Sequence, residues 1–262
     1  MEGHLQSRSV LSLTGEDAAA FLQGLVTQDV SGAGPVFSAL LTPQGKILFD
    51  FFLIPVEGGF LIDCDAGAAP ALLRRLQMYK LRAKIALSAA EGLAVFVGAR
   101  GGARAVYADP RHPLLPVRTI APRAEAPAAD EAFDALRLAA GVPEFGRDFT
   151  GEEVFLLDVN YDALAGVSYR KGCFIGQEVT SRMKRKGEIR KRTLIVRGTA
   201  LSKGAPVTAE GTALGAVTSH RGEAGLALIR VDRLAEARAS NAALQCGGAT
   251  AALEAPDYLK DG

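Results

Sequence analysis

One cysteine stands in a setting that could activate a thiol. The segment KGCFIGQEVTSRMKRKGEIRKR, residues 171–192, places Cys173 two residues after Lys171. A helix predicted to begin near Gly176 would direct the positive end of its dipole toward this cysteine. Both features favour the thiolate, which is the form that acts as a nucleophile or metal ligand. The alternative is a small buried apolar residue, which describes most free cysteines.

Polar and basic residues follow the cysteine. Gln177 and Glu178 fall in the first turn of the predicted helix, where they either compensate the helix dipole or hold a ligand and orient the cysteine loop. Seven Lys or Arg then occur among residues 182–192. This basic run is either a solvated helix end or a local site for an anion such as phosphate, a polycarboxylate or RNA. No aromatic residue interrupts the run, so base stacking is unsupported.

Two acids occur in apolar surroundings. Asp50 lies inside LFDFFL and Asp158 inside FLLDVN, with Asn160 two residues further on. An isolated buried carboxylate is costly, so such an acid is at a strand edge, paired, or placed for a ligand. In a strand, Asp158 and Asn160 would face the same side and could bind a heterocycle with adjacent N–H and C=O groups. Turn formation is the alternative role for this pair.

Composition limits the classes of protein that fit. The chain has 262 residues, a net charge of +1 and three cysteines without a CxxC pair. The cysteine count excludes a four-cysteine zinc or iron–sulfur site within one chain, and we predict no metal site. Separated cysteines and the absence of a secretory pattern predict reduced thiols and a cytoplasmic location. No apolar run is long enough to span a membrane, so no membrane association is expected.

Strand-like and helix-like segments alternate with hairpin signals, which predicts a mostly antiparallel α+β fold. A turn at Pro43-Gln44-Gly45 separates two strands, and residues 109–130 are proline-rich and predicted to connect elements. Beyond about residue 189, short β-like runs broken by glycines predict a small β-barrel or β-sandwich. We therefore divide the chain into residues 1–188 and a C-terminal domain, 189–262, with a frayed tail.

Several motifs together resemble a known family. The octapeptide KGCFIGQE matches the K-x-C-[YF]-x-G-Q-E motif of the YgfZ family of folate-binding proteins. Further matches occur in order along the chain, and these are LQGLVTQD at 22–29, LTPQGK at 41–46, DPR at 109–111, GVPEFGRDF at 141–149 and NYDALAGV at 160–167. The family is related to the T protein of the glycine cleavage system, a tetrahydrofolate-dependent aminomethyltransferase.

The resemblance implies a T-protein-like fold around a folate cavity, followed by a C-terminal β-barrel. It implies tetrahydrofolate or a one-carbon derivative as ligand. It also implies a role in assembling or repairing iron–sulfur clusters in client enzymes, including those that methylthiolate tRNA. Client proteins or cluster carriers would be the partners, without stable nucleic-acid binding. The working residues would be Cys173, Lys171, Gln177 and Glu178, and the folate-binding residues would be Asp50, Asp158, Asn160 and Arg182.

The chain departs from the T-protein pattern at one segment. Where T proteins have R-L-E-A-G, this chain has Arg137-Leu138-Ala139-Ala140-Gly141, which lacks the acid. An accessory factor for iron–sulfur proteins is therefore the leading hypothesis. A folate-dependent aminomethyl or one-carbon transferase using Asp50 is the alternative. An RNA-binding module using the run 182–192 is a third hypothesis, and a folate polyglutamate tail is another candidate ligand for that run.

Overall fold

The computed structural model describes residues 1–187 and 189–260. The strands are β1 Gly3–His4, β2 Arg8–Thr14, β3 Val36–Leu41, β4 Ile47–Val56, β5 Gly59–Asp65, β6 Ala86–Ala89, β7 Leu93–Val97, β8 Ala105–Tyr107, β9 Arg118–Pro122, β10 Lys191–Gly198, β11 Pro206–Ala209, β12 Thr212–Arg221, β13 Ala224–Arg230, β14 Leu244–Cys246 and β15 Ala249–Glu254. The helices are α1 Ala18–Gln23, α2 Ala69–Lys80, α3 Asp130–Ala139, α4 Gln177–Lys186 and α5 Val231–Ala239, and a 3₁₀ turn covers Asp257–Leu259.

Two antiparallel sheets form the N-terminal part. The first has the strand order β3-β4-β5-β2-β6, and the second has the order β1-β7-β9-β8. Every residue of β4 from Ile47 to Ile54 is buried, so both faces of this strand are covered. Side chains alternate along a strand, which places Asp50 on the same face as Phe52. The central position of β4 therefore carries a carboxyl group into the interior.

Residues 191–254 form a closed antiparallel barrel in the order β10-β13-β12-β11-β14-β15. Its core consists of alternating apolar side chains such as Leu194 and Val196, and α5 packs against β10, β12 and β13. Asp148, before the barrel, accepts hydrogen bonds from the Thr218 hydroxyl at 2.7 Å and the Ser219 hydroxyl at 2.5 Å. Partly buried polar contacts thus attach the barrel to the N-terminal part.

The structure differs from the sequence expectation in several segments. Arg118–Pro122, inside the predicted connection, forms β9 in the middle of its sheet because its first four residues are buried. Helix α5 follows the β-like runs that the sequence predicts and lies between β13 and β14, and it was not predicted. The predicted tail includes the 3₁₀ turn, where the Tyr258 hydroxyl donates to the Gly141 carbonyl at 2.6 Å. Residues 261–262 of that tail and residue 188 at the predicted domain boundary lie outside the described residues.

The α+β class and the C-terminal barrel agree with the sequence analysis, and the division at 188/189 stays a prediction. Within residues 1–187 and 189–260, no helix has the length and apolar character needed to cross a membrane.

Candidate functional site

Cys173 is exposed on the loop that precedes α4, whereas Cys64 and Cys246 are buried. Burial raises the pKa of the Cys64 thiol to about 12, so this thiol stays protonated at neutral pH. The buried Cys246 lies in the barrel core. Solvent access therefore distinguishes Cys173 as the cysteine that a partner molecule can reach.

Lys171 anchors the cysteine loop. Its side chain is buried, and its ammonium donates hydrogen bonds to the carbonyl oxygens of Val26 at 2.6 Å and Gln28 at 3.1 Å. The ammonium also lies 5.5 Å from the centre of the Phe174 ring. Burial lowers the pKa of Lys171 to about 8, with Asp29 opposing the shift. The Lys171 ammonium thus bonds to the turn after α1. The effect of Lys171 on the Cys173 thiol stays a prediction.

The start of α4 is fixed by a glycine. Gly176 has φ = +80°, and a Cβ at this position would lie 2.8 Å from the Thr42 carbonyl oxygen and 3.0 Å from the Gly45 Cα. The N-terminus of α4 therefore packs against the turn between β3 and β4. Gln177 and Glu178 occupy the first turn as predicted, with Gln177 half-buried and Glu178 exposed.

Asp50 is the interior carboxyl group of β4. It is 3% exposed and accepts a hydrogen bond from the Tyr161 hydroxyl. Burial raises the pKa of Asp50 to about 6, against the opposing effects of Arg8, the Tyr161 hydrogen bond and Arg111. A carboxyl group with this pKa can change between donor and acceptor near neutral pH. Such a group is suited to a ligand that presents N–H and C=O groups.

A network of buried charges surrounds this carboxyl, and the sequence analysis did not predict it. Asp63 accepts from Arg8 at 2.6 Å and from Arg118 at 3.0 Å. The Arg118 guanidinium lies 4.5 Å from the centre of the Phe52 ring. The buried members are Arg8, Asp63, Asp109, Arg111, Arg118, Arg137 and Glu144. Asp109, Arg111 and Glu144 belong to two of the family motifs, DPR and GVPEFGRDF. These motifs were the signal in the sequence that could have indicated the network.

The electrostatics of the network keep its acids ionised. Burial alone would raise the pKa of Asp109, but Arg111 and Arg118 lower it to about 2. The pKa of Asp63 is lowered in the same way, because Arg8 and Arg118 outweigh its burial. Asp50 thus lies beside acids that are paired with arginines while its own pKa is raised. The network holds this carboxyl in a fixed polar environment.

Asp158 and Asn160 lie in a turn and not in the strand that the sequence analysis assumed. The Asp158 carboxylate accepts a hydrogen bond from the Phe155 N–H at 3.0 Å, and burial raises its pKa. The Asn160 side-chain amide donates to the Thr193 carbonyl of β10 at 2.8 Å. Both groups therefore serve the turn and its attachment to the barrel, as in the alternative role given above.

Arg182 is exposed on α4. Two other cations of the basic run are used within the fold, since Lys184 and Arg192 both contact the Asp162 carboxylate, at 3.1 Å and 2.5 Å. Glu188 of this run lies outside the described residues. Among the residues that the structure describes, His, Cys, Asp and Glu side chains form no group of three or more that could hold a metal ion.

Comparison with known proteins assigns a family. A human protein named iron-sulfur cluster assembly factor IBA57, mitochondrial, is 32% identical over an alignment of 276 positions, gaps included, that covers 88% of this chain and 77% of the human protein. The chain belongs to the IBA57 family. A homologue from Pyricularia oryzae is 34% identical over an alignment of 215 positions, gaps included, that covers 72% of this chain. The chain spans about half the length of this and another fungal relative, 55% and 56%.

Two further comparisons concern the fold. The CAF17 C-terminal β-barrel domain family matches residues 190–261. The crystal structure of the glycine cleavage system aminomethyltransferase T from Bartonella henselae has a TM-score of 0.70 at 17% identity, covering 97% of this chain and 85% of that one. The predicted T-protein-like fold with a C-terminal barrel is therefore confirmed. The narrower YgfZ assignment stays a prediction.

The predicted cytoplasmic location is wrong, because the matched relatives are named mitochondrial proteins and point to that compartment. The error has a physical cause. Widely separated cysteines predict reduced thiols, but they do not separate one reducing compartment from another.

Tetrahydrofolate, which the sequence resemblance implies, fits the predicted residues in part. Asp50 offers a buried carboxyl group with a raised pKa, which suits a pterin. Asp158 and Asn160 are engaged in turn and barrel contacts, and Arg182 lies on the surface. The assignment of these four residues to one folate site therefore stays a prediction.

Proposed function

We propose that the protein acts in the assembly of iron–sulfur clusters, with Cys173 as its working thiol. Family membership supports the process, since the relatives are named iron–sulfur cluster assembly factors. The single observation that carries the role of Cys173 is its exposure, in contrast to the two buried cysteines. The thiol of Cys173 can be approached by a partner protein without unfolding of the chain.

One thiolate cannot hold a cluster, because iron–sulfur clusters are commonly bound by four protein ligands. Cys173 would therefore supply one ligand in a transient complex with a client protein or a cluster carrier. Formation of a mixed disulfide with such a partner is the other reaction open to an exposed thiol. Lys171 and Gly176 position the loop in both cases, through the contacts with Val26 and Thr42.

The process is tested by deleting the gene in its host and restoring the wild-type chain. The activities of a [4Fe–4S] enzyme, of tRNA methylthiolation and of the glycine cleavage reaction are then measured side by side. We expect the cluster-dependent activities to fall on deletion and to return with the wild-type gene. Loss of glycine cleavage alone would instead favour the aminomethyltransferase alternative.

We also propose that a tetrahydrofolate derivative binds beside Asp50. Support comes from the buried position of this carboxyl, its raised pKa and the hydrogen bond from Tyr161. The test is calorimetric titration with 5-formyltetrahydrofolate. Asp50→Asn should weaken binding by about tenfold or more, since a hydrogen bond to a charged group contributes about 1.5–3 kcal/mol.

Asp158→Asn is the matched control for this titration, because the Asp158 carboxyl is occupied by the Phe155 N–H. We expect it to leave the affinity unchanged. Equal weakening by the two substitutions, or no binding by the wild-type chain, would remove the folate proposal and leave the cluster proposal standing.

A further inference from the structure

Positive charge is concentrated around the exposed thiol. Residues 168–192 contain nine Lys or Arg against two Glu, while the whole chain has a net charge of only +1. The remainder of the chain therefore carries an excess of acidic groups. Such a local concentration of one sign produces a field that attracts oppositely charged partners.

Several of these cations are exposed to solvent. Lys184 and Arg192 contact Asp162, and Lys171 is buried under the cysteine loop. The other six are exposed, and five of these define the basic surface, namely Arg170, Arg182, Arg185, Arg190 and Lys191. Some cations of this segment therefore form contacts within the fold, while those of the basic surface are exposed to solvent.

The basic surface lies close to the thiol along the chain. Arg170 is three residues before Cys173, and α4 begins four residues after it at Gln177. With a rise of about 1.5 Å per residue, Arg182 lies about 8 Å along the helix from its start, and Arg185 about 12 Å. These distances are comparable with the Debye length of about 8 Å at physiological ionic strength. Arg182 therefore lies within about one Debye length of the helix start, where the thiol loop ends.

We propose that the basic surface is the docking site for an acidic protein that presents a cysteine or a cysteine-bound cluster to Cys173. This proposal rests on the proposed function and adds the chemistry of the partner. A thiolate-bound cluster is itself an anion, so cations beside Cys173 would offset its charge during transfer. Complementary charge also accelerates encounter and fixes orientation, which a transient complex requires.

The surface is less suited to single-stranded RNA. Binding of unpaired bases relies on aromatic rings on which the bases stack. Tyr169 is the large exposed aromatic side chain beside this surface among the residues that the structure describes, and the Lys184 ammonium lies 5.9 Å from the centre of its ring. Binding of an acidic protein surface requires the exposed cations but no stacking rings, so it fits this surface better than single-stranded RNA does.

The test uses two short peptides, each with one cysteine activated as the mixed disulfide with 5-thio-2-nitrobenzoate. In one peptide the flanking residues are Glu, and in the other they are Lys. The Cys173 thiolate attacks the peptide cysteine sulfur, a new disulfide forms, and the nitrothiobenzoate thiolate leaves and is measured by its absorbance. The reaction needs no cluster and no folate, and Cys173→Ser gives the background from the buried cysteines.

We expect the Glu peptide to react about tenfold faster than the Lys peptide at low salt, and the difference to disappear near 1 M salt, where the Debye length is about 3 Å. Arg182→Glu combined with Arg185→Glu should abolish this preference. Arg74→Glu combined with Arg82→Glu changes the net charge equally at exposed positions outside the surface and should preserve it.

Equal rates for the two peptides, or a preference that survives Arg182→Glu with Arg185→Glu, would overturn the proposal. So would tight binding of a labelled single-stranded RNA at physiological salt that is lost in the same double variant. A clear peptide preference combined with failure of the gene-deletion test would retain an acidic partner and reject the cluster role. The two proposals can therefore fail separately.

Discussion

The ammonium of Lys171 lies 2.6 Å from the carbonyl oxygen of Val26, and this contact holds the cysteine loop against the turn that follows α1. The two residues are far apart in the sequence, so the contact closes a long loop of the chain. Gln28 receives a second hydrogen bond from the same ammonium. The exposed thiol is thus carried by a loop whose base is buried and hydrogen-bonded.

Replacement of this lysine should loosen the loop. Lys171→Met keeps much of the apolar stem but leaves the Val26 and Gln28 carbonyls without their donor. We expect a loss of about 1–3 kcal/mol in the free energy of unfolding, the usual cost of an unsatisfied buried polar group. Hydrogen exchange should become faster in residues 168–176. Unchanged exchange in that segment would contradict the anchoring role.

The glycine at the start of α4 should be irreplaceable. Gly176→Ala introduces a Cβ within 2.8 Å of the Thr42 carbonyl oxygen at a φ of +80°, so we expect destabilisation by about 1–3 kcal/mol. Gly172→Ala is the matched control, since a Cβ there would meet no atom within 4 Å. Urea unfolding of both variants checks this expectation. Equal stability of the two would show that the close approach of α4 is unimportant.

Asp50 should produce a measurable pH dependence. Its pKa is raised from 3.8 to about 6, so the folded state binds its proton more tightly than the unfolded state does. The contribution of Asp50 to stability is therefore full below the unfolded pKa and is lost as the pH rises to the folded value. Two units of pKa correspond to about 3 kcal/mol.

Asp50→Asn removes this titration. The free energy of unfolding of the variant, relative to wild type, should rise by about 2–3 kcal/mol between pH 4 and pH 7. Denaturant titrations at several pH values measure the difference directly, and the other titrating groups cancel in it. A difference in unfolding free energy that stays constant with pH would mean that the pKa of Asp50 is not raised in the folded state.

Asn160 should act as a connection to the barrel. Its φ is +61°, and its amide donates to the Thr193 carbonyl. Asn160→Gly retains the backbone conformation and loses the hydrogen bond, so we expect a loss of about 1–2 kcal/mol in stability. Asn160→Ala adds backbone strain and should be less stable still. Thermal unfolding ranks the stabilities of the variants. A stability of Asn160→Gly equal to that of the wild type would refute the role of Asn160 in connecting the turn to the barrel.

Local signals predicted much of the fold. The Pro43-Gln44-Gly45 turn, the helix start near Gly176 and the glycine-broken strands after residue 189 are properties of neighbouring residues, and each agrees with the structure. The exposure of Cys173 depends on tertiary packing. The glycines on either side of it and the helix start after it are visible in the sequence.

Other features depend on residues distant in sequence. Arg8, Asp63 and Arg118 lie on three strands, and no local pattern indicates that their side chains meet. The same applies to Lys171, whose nearness to Cys173 in sequence suggested an effect on the thiol, whereas its ammonium bonds to residues 26 and 28. Asp158 and Asn160 fitted a strand pattern, but the positive φ of Asn160 requires a turn.

The role of Cys173 is tested most directly in the gene-deletion strain, restored with variants in which one cysteine at a time is replaced by alanine. Cys173→Ala should leave the thermal stability unchanged, because the side chain is exposed, and should fail to restore the iron–sulfur enzyme activity. Cys246→Ala, which removes a buried barrel thiol, should restore it. Full restoration of activity by Cys173→Ala would contradict the central claim that this thiol is used in cluster assembly.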